Sequence, residues 1–536
     1  MTATLTFRPR ADRRRWWILA VLCLSVLLTV VDNTIVNVAL PTISRTLSAS
    51  TQDLQWIVDA YTLVFAGLLI VGGNLGDRLG RRRVLQAGLV LFALMSVASA
   101  LSRSTGELIA SRAAMGVAAA LIYPATLALL TNVFTDARER ATAIGIWSGV
   151  SGLAVAIGPV TGGLLLRHFS WSSVFYVNVP VVIIALVAGM RLLPESRDPR
   201  AGRFDPLGAL LSIGGVGLLV WTVIEAPRHG WASATTIAGF AGALVILAAF
   251  VGWQLRRPDP LLDVRLFANP RFTAASGAIA LAFFGLFGFI FLITQYFQLV
   301  LSYDPLRAGL ATLPFAVVTG VVSPAAIALM KRAGTKVVVT AGLALMSTGF
   351  VVAAGTSADS AYWGRIITSM ILIAASASPA TEAIMGALPP AKAGVGSAVN
   401  DTTRELGGTL GVAIVGSIMS SAYSSHGLTA LTKIGAPAAL TSAAQQSVVA
   451  GLHASAYLPP GLRDVAAAAT RQAFMAGLHN GSLVAAGATA VAALATLAFL
   501  PARVRPAVTV PARPASAPQP SSGQQAAAQP AAARAR

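Results

Sequence analysis

Apolar runs long enough to cross a lipid bilayer recur along almost the whole chain, and no other feature restricts its fold so strongly. A bilayer core about 30 Å thick is spanned by roughly 20 residues of helix. Runs of that order stand at 16–40, 52–72, 84–102, 106–132, 139–166, 172–193, 206–225, 232–254, 272–300, 307–330, 337–356, 361–388, 396–423 and 480–501. In lipid every backbone N–H and C=O must be satisfied within the protein, so such runs are helices. They are continuous rather than alternating, which excludes a β-barrel. Only 11% of residues are charged, against about 25% in a soluble domain. The sequence therefore predicts an all-α polytopic membrane protein with fourteen transmembrane helices, both termini on one side.

A net charge of +19 would suggest a nucleic-acid ligand in a soluble protein. Here the placement of the charges decides. With the N-terminus in the cytoplasm, most of the 39 Lys+Arg fall on the inner side, including RPRADRRR before the first helix and Arg81–Arg83 after the second. That is the positive-inside pattern, so the basicity encodes topology and no nucleic-acid partner is implied. Cys23 is the single cysteine, which leaves no disulfide framework and no thiolate metal site. The basic-then-apolar N-terminus is too long in its apolar part for a signal peptide and reads as an uncleaved first helix. Arginine far outnumbers lysine and alanine is abundant, which points to a GC-rich bacterial genome and so to a bacterial inner membrane.

The polar, proline-punctuated stretches PESRDPRAGRFDP and LRRPDPLLDVRLFANPRF bracket the seventh and eighth helices and divide the chain six, two and six. We expect a cytoplasmic N-terminal tail over 1–15 and a first six-helix bundle over 16–193. Linkers with the two extra helices follow over 194–271, then a second six-helix bundle over 272–501. That bundle includes an outward loop at 424–479, in which Ala438–Leu452 and Leu462–Met475 read as a short helical hairpin. Residues 502–536, rich in Ala, Pro, Gln and Ser, read as a disordered cytoplasmic tail. GDRLGRRR after the second helix is echoed by MKRAGTK after the tenth, as in a duplicated transporter half.

Ionisable residues inside lipid are expensive and mark functional sites. Asp32 lies eight residues short of Leu40 at the end of the first helix, roughly 12 Å deep at 1.5 Å per residue. Arg112 in the fourth helix is about 9 Å deep by the same rise, and Asp59 in the second is at a similar level. Common depth predicts that both acids face the arginine. Asp401, Arg404 and Glu405 share one face of the thirteenth helix near the inner boundary, with Glu382 at a comparable depth in the twelfth. Two readings fit this group: an internally neutralised trio, or a second carboxylate site reached from inside. Phe291, Gln295 and Tyr296 in the ninth helix read as packing residues or as a face for a cationic ligand.

The loop GNLGDRLGRRR carries Gly73, Asp77, Arg78, Gly80, Arg82 and Arg83. Its glycines permit a tight turn, and its carboxylate is free to cap the positive N-terminus of a helix in the opposite half, latching one conformation. In the fifth helix Gly158, Pro159, Gly162 and Gly163 allow close helix approach.

Taken together, VDNTIVNVALP, QWIVDAYTLVFA, the Gly73–Arg83 loop, Arg112, the Gly158–Gly163 set and SAVNDTTRELGG resemble the fourteen-helix drug:proton antiporter branch of the major facilitator superfamily, over about residues 15–500. The resemblance implies two six-helix bundles with two extra central helices. It also implies proton-driven exchange without a cofactor, a monomer, and export of lipophilic, cationic drugs, as in multidrug and quaternary ammonium exporters. The GP-x-x-GG form resembles the antiporter motif of that superfamily. Two motifs depart from the pattern: Met115 stands where proton-coupled members usually carry Gln, and Ser172 and Ser173 stand in place of the arginine of a W-R-W element. A dedicated exporter of a self-made antibiotic would share every motif, and a non-transporting receptor or scaffold is the rival of another class. The absence of a nucleotide-binding loop or soluble domain counts against an ATP-driven pump and against an enzyme.

Overall fold

The computed structural model describes residues 11–197, 205–376, 393–433 and 435–500, and among these it is helical with no strand. The first half runs α1 (Ala11–Leu47), α2 (Thr51–Leu79), α3 (Arg81–Leu101), α4 (Thr105–Val133), α5 (Ala137–His168), the single turn α6 (Ser173–Tyr176) and α7 (Asn178–Leu192). Two further helices follow, α8 (Pro206–His229) and α9 (Ala234–Arg256). The second half comprises α10 (Pro270–Gln295), α11 (Pro305–Ala311), α12 (Leu313–Ala333), α13 (Thr335–Ala354), α14 (Ile367–Ala374) and α15 (Ala393–Lys433). It ends with the short α16 (Ala438–Gln446) and α17 (Val448–Ser455), then α18 (Pro460–Phe499). Thirteen described helices are long and apolar enough to span a bilayer, and the shorter Tyr362–Ala374 helix lies where a fourteenth is expected. The chain is a multi-pass membrane protein.

Local chemistry sets the helix ends. Ser50 accepts from the Asp53 amide while the Asp53 side chain accepts from the Ser50 amide, a reciprocal cap that starts α2. Ser104, Asp136 and Asp205 cap α4, α5 and α8 in the same way on one side only. Gly80, at φ +115°, turns the chain from α2 into α3, a backbone conformation that side chains rarely adopt.

The expected hairpin is corrected in its second arm. Leu462–Met475 is the opening of α18, continuous with the last membrane helix, and α15 itself runs on to Lys433. The connection between them is therefore shorter than 424–479 and holds α16 and α17. Leu431, Leu440, Ala444, Ala466 and Ala469 give this region a small core of its own. Helices α8 and α9 pack as a pair, and α8 lies against both α2 and α15, where Leu63, Val220, Val223, Ile224 and Ala413 bury one another. Glu382, the predicted tail 502–536 and residues 198–204 of the first linker lie outside the described residues.

Candidate functional site

Asp32 on α1 and Arg112 on α4 are both fully buried and form an ion pair between Arg112 Nη1 and Asp32 Oδ2. The other carboxylate oxygen accepts from Asn178 Nδ2 on α7 at 2.7 Å, and the same amide reaches Ser96 Oγ on α3 at 3.2 Å. Arg112 Nε donates to the Ile57 carbonyl on α2 at 3.1 Å, and its guanidinium lies 4.4 Å from the centre of the Tyr61 ring. Tyr61 in turn donates to the Thr29 carbonyl of α1 at 3.1 Å. Five helices of the first bundle thus converge on one charge pair in which every side-chain polar atom but Arg112 Nη2 is hydrogen-bonded, close to the condition for burying charge. Asn178 was not singled out in the sequence, although a lone asparagine in VFYVNVPVVI is the same kind of signal as Asp32.

Asp59 does not join this pair, contrary to the expectation from depth. It is fully buried, and neither carboxylate oxygen has a hydrogen-bond partner. The reason is angular: Arg112 meets α2 at the Ile57 carbonyl, and two residues further on the helix has turned by about 200°. Asp59 instead shares the face of Gln55 and Thr62. Gln55 Nε2 donates to the Val412 and Ala413 carbonyls of α15 at 3.3 and 3.0 Å, and Thr409 Oγ1 donates to Thr62 Oγ1 at 3.0 Å. Asp59 therefore sits at the seam between the two bundles.

Those contacts belong to a closed side, the one remote from the N-terminus. Gln52 reaches Ser420 at 3.4 Å, and Gln298, just past α10, donates to the Val38 carbonyl of α1 at 2.8 Å. The glycines of α5 complete the closure. A Cβ on Gly158 would collide with Thr34 and one on Gly162 with Ile35, both on α1. A Cβ on Gly163 would come within 2.6 Å of Leu306 Cα on α11, while one on Gly309 would strike the Pro159 carbonyl. The Gly-Pro-x-x-Gly-Gly stretch thus lets α5 seat the Thr34 and Ile35 side chains of α1 on one flank and meet α11 backbone against backbone on the other.

On the N-terminal side a cavity of about 500 Å³ opens between α2, α4, the start of α15 and the segment 259–262. Asp77, Arg81, Tyr123, Asp205, Asp259 and Asp401 contribute to its wall. At its inner end Arg404 pairs with Glu405 at 3.1 Å and with Asp401 at 3.9 Å. The guanidinium also lies 6.0 Å from the Tyr123 ring centre and 5.6 Å from that of Phe283. Tyr123 packs edge-on against Phe65 at 5.8 Å and Trp147 at 5.2 Å, and Phe65 lies 6.0 Å from Tyr61. Three rings therefore run from the guanidinium of Arg112 to that of Arg404. Tyr61, Phe65, Tyr123 and Phe283 give no periodic signal in an apolar helix, so the sequence did not mark them.

Three expected contributors lie elsewhere. Phe291 and Tyr296 are fully buried in the second bundle, with the Tyr296 hydroxyl donating to the Ser357 carbonyl at 3.2 Å, and Gln295 donates to the Phe291 carbonyl one turn back at 2.9 Å. They pack the bundle and do not reach the Arg404 group. In the α2–α3 turn, Asp77 pairs with Arg81 at 2.8 Å rather than with a helix of the opposite half. Gly80 and the Arg82 amide lie against Glu195 beyond α7; that amide donates to Glu195 Oε1 at 3.2 Å, and Arg83 approaches Glu195 Oε2 at 3.7 Å. Arg78 is exposed, and a Cβ on Gly73 would meet only Pro124 at ordinary contact distance. Neither Arg81 nor Glu195 was foreseen as a partner.

Two helical bundles closed on one membrane face, with a largely apolar, acid-bearing cavity on the other and buried charge between, define a membrane carrier. The chain belongs to the Major Facilitator Superfamily, whose pattern matches residues 22–412, and is a transporter rather than an enzyme. It is 40% identical over 457 residues to the multidrug efflux pump LfrA of Mycolicibacterium smegmatis, covering 84% of this chain and 89% of that protein. It is 37% identical over 422 residues to the methyl viologen resistance protein SmvA of Salmonella typhimurium, covering 77% and 84%. In fold it resembles the crystal structure of a bacterial homologue of the human lysosomal transporter Spinster, inward-facing and unoccupied. The TM-score there is 0.62 at 20% identity, covering 92% of this chain and 99% of that one.

Proposed function

We propose that the protein is a proton-driven antiporter, acting as a monomer in a bacterial cytoplasmic membrane, that exports lipophilic organic cations. The observation that carries this reading is the acid-walled cavity on the N-terminal side, with the Asp32–Arg112 pair buried beyond it toward the closed face. The basic flanks of that side support placing it in the cytoplasm, which makes the described conformation inward-facing. The kinship to a multidrug efflux pump and to a methyl viologen resistance protein supports a drug substrate and a cationic one.

In this scheme Asp401 and Glu405 receive the cation from the cytoplasm. Asp32 and Asp59 take protons from the outer side. An ionised Asp59 at the seam would cost several kcal/mol with no partner, whereas a neutral one fits between α2 and α15. Protonation of Asp59 therefore permits the outer side to close and carries the proton inward. At Asp32 the competing partners are a proton and Arg112, so separating the pair changes its hold on the proton. The bundles rock about the cavity, α5 forming the outer seal and Asp77 the inner latch. No cofactor enters; the proton gradient drives the exchange. The membrane potential adds to it whenever more protons enter than cationic charges leave.

Inverted vesicles carrying the protein and given an acid interior should lose part of that gradient on addition of ethidium or benzalkonium. A gradient that is undisturbed by a broad panel of cations but collapses with a neutral or anionic antibiotic would reject the substrate class.

A further inference from the structure

Arg404 occupies a position that chemistry would otherwise assign to a ligand. Its guanidinium is held by two carboxylates, at 3.1 Å and 3.9 Å, and by two ring faces, at 6.0 Å and 5.6 Å. The rings come from opposite bundles, Tyr123 from α4 and Phe283 from α10. Two acids and two aromatic faces are the recognition set for a flat, delocalised, weakly hydrated cation. A guanidinium is itself such a cation. The group is also reachable: the Arg404 side chain is 24% exposed, and its neighbours Tyr123 and Asp401 line the cavity. Glu405, by contrast, is nearly buried, and its second oxygen has no partner.

We infer that Arg404 is a tethered competitor that fills the organic-cation subsite between Tyr123 and Phe283 in the empty transporter and is displaced when a delocalised cation binds. The inference rests on the cationic-substrate reading above and adds the residue that sets its affinity. A side chain on the same helix competes at a fixed, high effective concentration, so it weakens every cation alike without excluding any. It also resolves a difficulty of the empty carrier. Two uncompensated carboxylates in a closing cavity are strongly unfavourable, and an internal guanidinium neutralises them so that the unloaded bundles can still move.

The competition is tested by titrating purified protein in nanodiscs with ethidium, followed by its fluorescence, for wild type, Arg404→Gln and Arg404→Lys, with uncharged Nile red as a control. Removing the competitor should lower the ethidium Kd about tenfold, the ratio expected if Arg404 holds the subsite about nine-tenths of the time. Nile red should bind all three alike. Arg404→Lys should fall between, because a compact, strongly hydrated ammonium competes less well for ring faces. It also serves as the variant to read if Arg404→Gln fails to fold. Ethidium binding to both variants that equals wild type, or is weaker, overturns the inference. If wild-type vesicles respond to no cation and wild-type protein binds none while Arg404→Gln binds ethidium, the competitor stands and the export reading fails. If wild type exports ethidium but its affinity is indifferent to position 404, the export reading stands and the competitor fails.

Discussion

Asp32 and Asp59 are both aspartates at full burial in neighbouring helices, yet they make opposite demands on the fold. Asp32 has a guanidinium and an amide; Asp59 has nothing. Replacing Asp32 by Asn should leave Arg112 as a buried charge without its counter-ion and lower stability by about 3 kcal/mol. Replacing Asp59 by Asn removes no partner and should leave stability within about 1 kcal/mol of wild type. Both variants should lose gradient-driven export if both acids carry protons. Thermal unfolding of the two purified variants, beside dye efflux from cells, checks the pair; a destabilised Asp59→Asn with an unaffected Asp32→Asn would reverse the assignment. The contrast also shows how far the sequence could be read. Depth along a helix follows from residue counting, and it brought Asp32 and Arg112 together. Azimuth does not follow from counting without knowing which face meets which neighbour, and that is where Asp59 was misplaced. The ring ladder from Tyr61 to Tyr123 was invisible for a related reason, since an aromatic residue in lipid is unremarkable until its partners on other helices are known.

Among the elements, α8 shows how one cap can fix two helices. Asp205 accepts from the Gly208 amide at 2.9 Å, from Trp253 at 3.0 Å and from Gln254 at 2.9 Å, the last two on α9. Burial pushes this carboxyl up, but those three hydrogen bonds, with Arg257 nearby, outweigh it and hold it below its ordinary value of 3.8. A depressed carboxyl contributes stability that is present above its ordinary value and is lost as pH falls through the lower folded one. Asp205→Ala removes the cap, worth about 1 kcal/mol, and strands its donors at a further cost of about 1–2 kcal/mol. At neutral pH the variant should therefore unfold with about 2–3 kcal/mol less stability, and the gap should narrow below about pH 4. Equal melting of variant and wild type at neutral pH would remove Asp205 from the α8–α9 anchor. Elements of this kind were largely legible, because hydropathy in a bilayer must be satisfied helix by helix. The exception was Leu462–Met475, where Arg463, Asp464 and Arg471 made the opening of α18 look like a surface segment. The helix simply continues past the membrane.

At the scale of the whole molecule the question is what distinguishes the two ends of the cycle. Asp77 is turned to Arg81 within its own bundle while the far side is sealed, and the latch proposed for it requires that this pair be exchanged for a partner in the opposite half when the cavity closes. Asp77→Asn should therefore bias the protein toward this state and slow turnover, leaving cation affinity within a few-fold of wild type. A cysteine placed at Ala128 in the cavity wall, in a background lacking Cys23, should be alkylated faster when Asp77 is changed. Unchanged labelling with a large loss of affinity would make Asp77 a ligand instead. The far side carries a different consequence. At 40 residues α18 is about 60 Å long, twice the thickness of the bilayer core. Its outer half is welded to α15, α16 and α17 through their shared core, while α17 rests against α1 of the first bundle. A stiff rod anchored in a tilting bundle magnifies the tilt, and about 10° of rotation would carry a point 30 Å beyond the membrane by roughly 5 Å. The separation between that outer cap and α1 therefore reads the angle between the bundles with greater gain than any pair of positions inside the membrane.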